Sequence, residues 1–382
     1  MTRAAGRRPP VRRYHLAVLP GDGIGPEVTA QALAVLQALQ RHQLLRDDAG
    51  NPVQVTLAIH PVGGAAIDLT GMPLPPATWE ACRGADAVLL GAVGGPTWED
   101  LPPEQRPERG LLELRRRLGV FANLRPVRQW LPPARGQAPI DLLIVRELTG
   151  GIYFGQPRGM ETLAGGERRA YDTMAYTERE ITRVARVGFQ QARQRRQRLV
   201  SVDKANVLAT SRLWRQVVQD VAAEFPEVLL EHQLVDSFAL RLVRDPGTVD
   251  VVLTGNLFGD ILSDLAGGLV GTLGLLPSAS LGNGSGPGLF EPVHGSAPTI
   301  AGRNQANPVG MILSLALLCR YGLGLTKVAT LIESAVAAVL AAGWRTADLA
   351  APGEPTVGTQ EMGAHIVAAL LGAGSQTPRA NK

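Results

Sequence analysis

Short apolar runs alternate with helical stretches along this chain, and that alternation constrains the fold more than any other feature. Residues 16–20 form an apolar run, 21–27 a glycine turn, and a helix rich in Ala, Val and Leu follows, with Pro26 in its first turn. Residues 87–91, 141–146 and 249–254 read as further buried strands. Residues 177–198 and 325–342 read as helices, the first with Ile181, Val184, Ala185 and Gly188 on one face. Strands alternating with helices argue an α/β fold with a largely parallel sheet. Single cores stop growing near ~250–300 residues, so a chain of 382 is expected to form two domains. Residues 158–177 are weakly patterned and suit an arm or hairpin that reaches a partner.

Composition removes several classes of function. No apolar run approaches the ~18 residues of a membrane span; the best candidate is 310–319. Cys82 and Cys319 are too few for a disulfide framework or a four-thiolate zinc site. Arg3, Arg7, Arg8, Arg12 and Arg13 crowd the first 13 residues, where there is no acid. Taking those five charges from the net +4 leaves −1 for the rest. The basicity therefore belongs to a tail expected to be disordered over about 1–13, not to a nucleic-acid surface. The tail lacks the apolar stretch of a secretory signal. The expectation is a cytoplasmic protein that engages neither membrane nor nucleic acid.

Arg makes up 35 of the 38 basic residues, leaving only Lys204, Lys327 and Lys382. A Lys kept in such a chain is a candidate for a task Arg cannot do, such as losing a proton. Lys204 follows the apolar pair Leu199-Val200, and both a functional and a surface reading of it stand. Asp260 and Asp264 are four apart, so a helix puts both carboxylates on one face. A hard cation such as Mg²⁺ or Mn²⁺ would offset their repulsion, with no thiolate or imidazole nearby in the sequence. Acids favoured by a helix N-terminus are the alternative. Arg115, Arg125 and Arg146 fall near strand ends and loops, where either a bound carboxylate or phosphate or a structural ion pair would account for them. The turn at 21–27 fails the dinucleotide fingerprint because Pro26 takes the third glycine position. Residues 282–288, Gly-Asn-Gly-Ser-Gly-Pro-Gly, followed by a dense polar block, suit a ligand loop better than a plain linker.

Together these motifs resemble the isocitrate/isopropylmalate β-decarboxylating dehydrogenase family. The similarity runs from about Leu16 to Leu371. It is carried by Leu-Pro-Gly-Asp-Gly-Ile-Gly-Pro-Glu (19–27), Leu-Leu-Gly-Ala-Val-Gly-Gly-Pro (89–96) and Phe-Ala-Asn-Leu-Arg-Pro (121–126). It continues through Arg-Glu-Leu-Thr-Gly-Gly-Ile-Tyr-Phe-Gly (146–155), Ser-Val-Asp-Lys-Ala-Asn-Val-Leu (201–208), Gly-Asn-Leu-Phe-Gly-Asp-Ile-Leu-Ser-Asp (255–264) and Glu-Pro-Val-His-Gly-Ser-Ala-Pro (291–298). The Leu-Thr-Gly-Gly after Glu147 resembles the isopropylmalate branch.

The resemblance implies a two-domain, non-Rossmann α/β homodimer whose first domain is discontinuous, about 1–120 with 271–382, and whose second is about 121–270, with the arm at 158–177 in the dimer contact. It implies NAD-dependent oxidative decarboxylation of 3-isopropylmalate to 4-methyl-2-oxopentanoate in leucine biosynthesis. Carried over residue by residue, Arg115, Arg125 and Arg146 would grip the two malate carboxylates. Asp260 and Asp264, with Asp236 of a second chain, would hold Mg²⁺ or Mn²⁺. Lys204 of that second chain would act in removing the hydroxyl proton, and Tyr153 would return a proton after CO₂ leaves. Glu108, Leu111, Leu112 and the second chain's Val207 would line the isopropyl pocket, where two leucines disfavour a third carboxylate. His294, Gly295, Ser296, Ala297, Thr299 and Asn307 would contact NAD. Thr299 stands where this branch usually has Asp; it can hydrogen-bond a ribose but cannot repel a 2′-phosphate, so NAD with reduced discrimination against NADP is expected. A non-catalytic relative would have lost Lys204, Tyr153 or the aspartates, and all are present.

Overall fold

The strand expected at 16–20 begins earlier than the sequence suggested. β1 (Arg12–Gly21) includes Arg12 and Arg13, which pair with Val53 and Gln54. These two residues are therefore not part of a disordered tail: the parallel ladder satisfies their backbone. The computed structural model describes residues 11–132 and 138–372, so Arg3, Arg7, Arg8 and Lys382 lie outside the described residues.

The described chain forms two units, one up to Gly110 and again from Gly295, the other Leu111–His294. In the first, β1 leads into α1 (Gly25–Arg41), with Pro26 in its first turn and Val28, Ala32, Val35, Leu36 and Leu39 on its buried stripe. β2 (Val53–Ile59), α2 (Gly64–Thr70), α3 (Pro76–Arg83) and β3 (Ala87–Ala92) follow, and the strands pair in parallel in the order β2-β1-β3. α4 (Pro107–Leu118) carries the chain across the boundary.

The second unit holds β4 (Ala122–Arg128), β5 (Asp141–Glu147), the hairpin β6 (Gly159–Thr162) and β7 (Arg168–Tyr171), α5 (Glu178–Gln194) and β8 (Arg198–Asp203). It continues with α6 (Ala209–Ala222), β9 (Leu229–Leu234), α7 (Val235–Arg244), β10 (Val251–Thr254), α8 (Asn256–Val270), β11 (Pro277–Leu281) and β12 (Gly288–Pro292). Its sheet runs β12-β11-β4-β5-β10-β8-β9. The last four strands are parallel, and β4 and β11 are antiparallel to their neighbours. Residues 271–294 belong to this unit, not to the first as expected, because β11 pairs with β4. The chain then returns to the first unit as α9 (Val309–Leu317), α10 (Thr326–Ala341) and α11 (Thr359–Leu370).

Local chemistry explains these elements. Thr177 and Glu180 form a capping box that starts α5, and Ile181, Val184, Ala185 and Gly188 are buried on its inner face. Phe238, Leu242, Leu262 and Ala266 of α7 and α8 pack with Val127, Leu142 and Ile144 to form a core on one side of the second sheet. The apolar run at 310–319 is the buried α9, and among the described residues no helix is long and apolar enough to cross a membrane. The glycine stretch at 282–288, expected to be a ligand loop, is the hairpin connection between β11 and β12, where Asn283 Oδ1 accepts from the backbone N–H and hydroxyl of Ser285.

The hairpin β6–β7 is exposed almost throughout, including Met160. Leu240 and Val243 of α7 and Ile261 of α8 are also exposed. The four parallel strands end together, and Arg146, Lys204 and Asp236 stand at or just beyond those ends, where open α/β sheets bind ligands.

Candidate active site

Register brings the arginines together. Asn123 lies opposite Arg146, and Arg125 opposite Ile144, across β4 and β5. Side chains alternate along strands, so Asn123, Arg125 and Arg146 share one face, and all three are buried. α8 covers that face. Arg146 donates through Nε and Nη2 to Asn256 Oδ1 at 3.0 and 2.7 Å, and through Nη1 to Asp260 Oδ1. Arg125 donates through Nε to Asn123 Oδ1 at 2.7 Å, and through Nη1 to Ser263 Oγ at 2.5 Å and Asp260 Oδ1 at 3.3 Å. Asp264 comes within 3.8 Å of Arg125. Tyr153, in the turn after β5, donates its hydroxyl to Asp260 Oδ2 at 2.8 Å. Arg115, in the last turn of α4, pairs with Glu291 at 2.6 Å, and its buried Nε has no hydrogen-bond partner.

The electrostatics follow from burial. Desolvation pushes Arg146 down to about 10, and the like charge of Arg125 adds to the effect. Burial lowers Arg125 too. Burial favours a neutral Asp260, but Arg146 and Arg125 outweigh it and hold the carboxyl below its ordinary value. Burial raises Asp264 against the pull of Arg125. Burial and the hydrogen bond to Asp260 raise Tyr153, so its phenol keeps its proton at neutral pH. Three guanidiniums in so small a space can grip more than one carboxylate.

Gly259 allows α8 to lie this close, since a Cβ there would stand 2.7 Å from Arg146 Cγ. In Gly259→Ala that clash should outweigh the ~1 kcal/mol of helix propensity gained. A net loss of about 1–2 kcal/mol is expected. Chemical denaturation measures it, and an unchanged midpoint would mean that α8 has slack over Arg146.

Lys204 and Asp236 form a separate group. Lys204 follows β8, Asp236 opens α7, and their side chains meet at 2.5 Å. The hydrogen bond from Lys204 holds Asp236 below the usual carboxylate range. Two strand spacings, about 10 Å, separate β8 from β5. No hydrogen bond or ion pair among the described residues links this pair to Asp260, Arg146 or Tyr153. Val207, expected in a pocket, is 63% exposed. Among the described residues no three His, Cys, Asp or Glu side chains converge as a metal site. Asp260 and Asp264 therefore stand together, and Asp236 stands apart from them.

In the first unit, Glu108 lines an open groove with Gly95, Trp98, Arg106 and Pro298. Leu111 and Leu112 are half-buried on α4. Gly23 meets the 295–299 loop so closely that a Cβ would stand 2.0 Å from Ser296 O. Ala297 adopts φ +40°, a strained setting for an L residue and a mark of functional loops. Ser296 is buried, while Gly295 and Thr299 are exposed. Asn307 donates to Asp348 at 3.2 Å, and Asp348 accepts from Thr346 at 2.6 Å. His294 is the last residue of the second unit.

Sequence reasoning gave no role to Asp22, Asn123, Asn256, Glu291 or Asp348. Asp22 is buried and accepts the backbone N–H of Gly64, Ala65 and Gly94 at 2.7–2.8 Å, so it ties the first turn to two loops. Four of the five lie inside or beside motifs already singled out, but nothing in a lone Asn or Asp shows which distant backbone or guanidinium it will meet.

A family profile described as isocitrate/isopropylmalate dehydrogenase matches residues 15–366. A 3-isopropylmalate dehydrogenase of Nitratidesulfovibrio vulgaris is 54% identical over 358 residues, 91% of this chain and 97% of that protein. One from Xanthomonas campestris is 53% identical over 362 residues, 93% of this chain and 99% of the relative. Among solved structures, an isocitrate dehydrogenase from Methylococcus capsulatus superposes with a TM-score of 0.82 at 32% identity, covering 94% of this chain and 99% of its own. A β-decarboxylating dehydrogenase from Thermococcus kodakarensis, in its apo form, gives 0.75 at 38% identity, with 94% and 96% covered. With arginines, aspartates and a tyrosine gathered at the strand ends, and with likeness over nearly its whole length, this chain belongs to the isocitrate/isopropylmalate dehydrogenase family.

Proposed function

We propose that this chain oxidatively decarboxylates 3-isopropylmalate to 4-methyl-2-oxopentanoate with NAD⁺ and Mg²⁺ or Mn²⁺, as a cytoplasmic homodimer in leucine biosynthesis. The observation that carries this reading is the buried pair Arg125 and Arg146 around Asp260, Asp264 and Tyr153, with the half-buried Arg115 held on Glu291. The names of relatives 52–54% identical over more than nine-tenths of the chain support the substrate.

The residues fit both groups the reaction needs. Asp260 and Asp264 offer two carboxylates one helical turn apart, suited to a hard cation. A second copy's Asp236 would supply a third. Gly295, with room where a Cβ would stand, the strained Ala297, and Asn307 fixed by Asp348 suit the adenosine side of NAD. When bound, the nicotinamide accepts a hydride and the cation acts as Lewis acid toward the hydroxyl and a carboxylate.

The chain's own residues do the rest. Arg115, Arg125 and Arg146 orient the two carboxylates. Lys204 of the second copy takes the hydroxyl proton, which an Arg could not carry away. Tyr153, protonated at neutral pH, delivers a proton to the carbon that loses CO₂. Leu111 and Leu112, with Glu108 and a second copy's exposed Val207, accept the isopropyl group.

NADH formation at 340 nm with 3-isopropylmalate, NAD⁺ and Mg²⁺ tests the proposal, with malate, isocitrate and tartrate alongside. Metal-dependent turnover of 3-isopropylmalate far above the others is expected; a preference for isocitrate or tartrate would defeat the substrate assignment. Thr299→Asp restores a carboxylate that repels a 2′-phosphate. Its NAD-over-NADP ratio of kcat/KM should rise about tenfold, equivalent to ~1.4 kcal/mol. An unchanged ratio would remove Thr299 from the ribose site.

A further inference from the structure

Two of the three site arginines are anchored by asparagine and one by glutamate. Arg125 gives its Nε edge to Asn123 Oδ1, and Arg146 gives both Nε and Nη2 to Asn256 Oδ1. Arg115 pairs instead with the carboxylate of Glu291. Both asparagines are buried, and their amide nitrogens are committed elsewhere. Asn123 Nδ2 donates to Ser278 Oγ and Ser280 Oγ at 3.0 and 2.9 Å. Asn256 Nδ2 donates to the Gly150 carbonyl at 3.1 Å, and its backbone N–H donates to Tyr176 Oη at 2.7 Å. A guanidinium can only donate, so each amide oxygen must face its arginine.

A carboxylate would also fit a guanidinium edge, and more strongly. The choice of a neutral oxygen has an electrostatic consequence. Asp260, Asp264 and Glu291 already face the three guanidiniums. With carboxylates at 123 and 256, two further anions would face these cations, and the attraction for a dianionic ligand would fall whether or not a divalent cation is bound. A neutral acceptor fixes the plane of each guanidinium and takes none of its charge.

We propose that Asn123 and Asn256 are positioning residues that act through Arg125 and Arg146: neutral anchors that hold each guanidinium by its Nε edge and leave its charge for a dicarboxylate. The inference rests on the reading of the site as one for a malate-type dianion.

Asn123→Asp and Asn256→Asp test it, since each keeps the size and the oxygen that faces the arginine and replaces the amide donor with a negative charge. Binding of 3-isopropylmalate with Mg²⁺, without NAD, is followed by calorimetry. Loss of charge-assisted binding predicts a Kd raised ~10–100-fold. The Kd for NAD⁺ should stay at the wild-type value, and KM should rise far more than kcat falls. Asn123→Ser and Asn256→Ser shorten the side chain without adding charge and should weaken binding less than the Asp variants. Where an Asp variant does not fold, the Ser variant decides, by a raised KM with kcat retained. Equal losses in Ser and Asp variants, losses shared with NAD⁺ binding, or a wild-type Kd in a folded variant would each overturn the inference. A wild-type chain that binds no 3-isopropylmalate defeats the reading of the site. One that binds it, loses it in Arg146→Met and keeps it in the Asn variants defeats the anchors alone.

Discussion

Replacing Lys204 with Met should reduce turnover ~10²–10⁴-fold, the range general acid–base groups contribute, while fold and assembly survive. The structural part of this expectation is local. The backbone around Lys204 is held by bonds that the substitution leaves intact: its N–H on Ser211 Oγ, and its carbonyl accepting from Val207 and Leu208. Among the described residues its amine bonds only Asp236, which is well exposed, and such surface pairs contribute little to stability. Met keeps the apolar stem and removes only the amine. The chemical part is that Lys can exchange a proton and this chain, with 35 Arg, kept few Lys. Steady-state NADH formation, with circular dichroism and size-exclusion chromatography as controls, measures both parts. Near-normal turnover in a folded variant would remove Lys204 from the proton path.

Mixing two inactive chains should restore activity. Lys204 and Asp236 stand apart from Asp260 and Tyr153 within one chain, and no three metal-type ligands converge among the described residues. On the proposed mechanism a second copy would complete the site, and the exposed Leu240, Val243, Ile261 and Met160 would offer apolar surface for the contact. A Lys204→Met chain still has Asp260, and an Asp260→Asn chain still has Lys204. In a hybrid dimer one site is intact and the other doubly defective. A purified hybrid, selected by two affinity tags, should run at about half the wild-type rate, because a two-fold dimer has two equivalent sites. Each parent homodimer should be nearly inactive. A hybrid as inactive as its parents would mean that the site is completed within one chain.

Much of the site was legible because its chemistry sits in contiguous motifs. Arg146 ends an apolar run, Lys204 follows another, and Asp260 and Asp264 share a helical face at a spacing that holds wherever the helix packs. The strands and helices were legible for the same reason: periodicity is a local property. The first strand was misjudged at its start because Arg12 and Arg13 look like tail until β2 supplies hydrogen-bond partners. The hairpin at 282–288 was not legible, because glycine serves a hairpin turn and a phosphate cradle equally well.

The sequence by itself determined the α/β alternation, the motifs and the residue types that carry the chemistry. Only the tertiary structure decided their company. The pairing of β4 with β5 sets Asn123 opposite Arg146, and the docking of α8 brings Asn256 onto Arg146 and Asp260 onto both arginines. The order β5-β10-β8 keeps Lys204 two strands away. The contacts of α8 with these arginines join residues more than a hundred positions apart. They are fixed by strand order, register and close packing, whose energies depend on the whole core and not on any short stretch of chain.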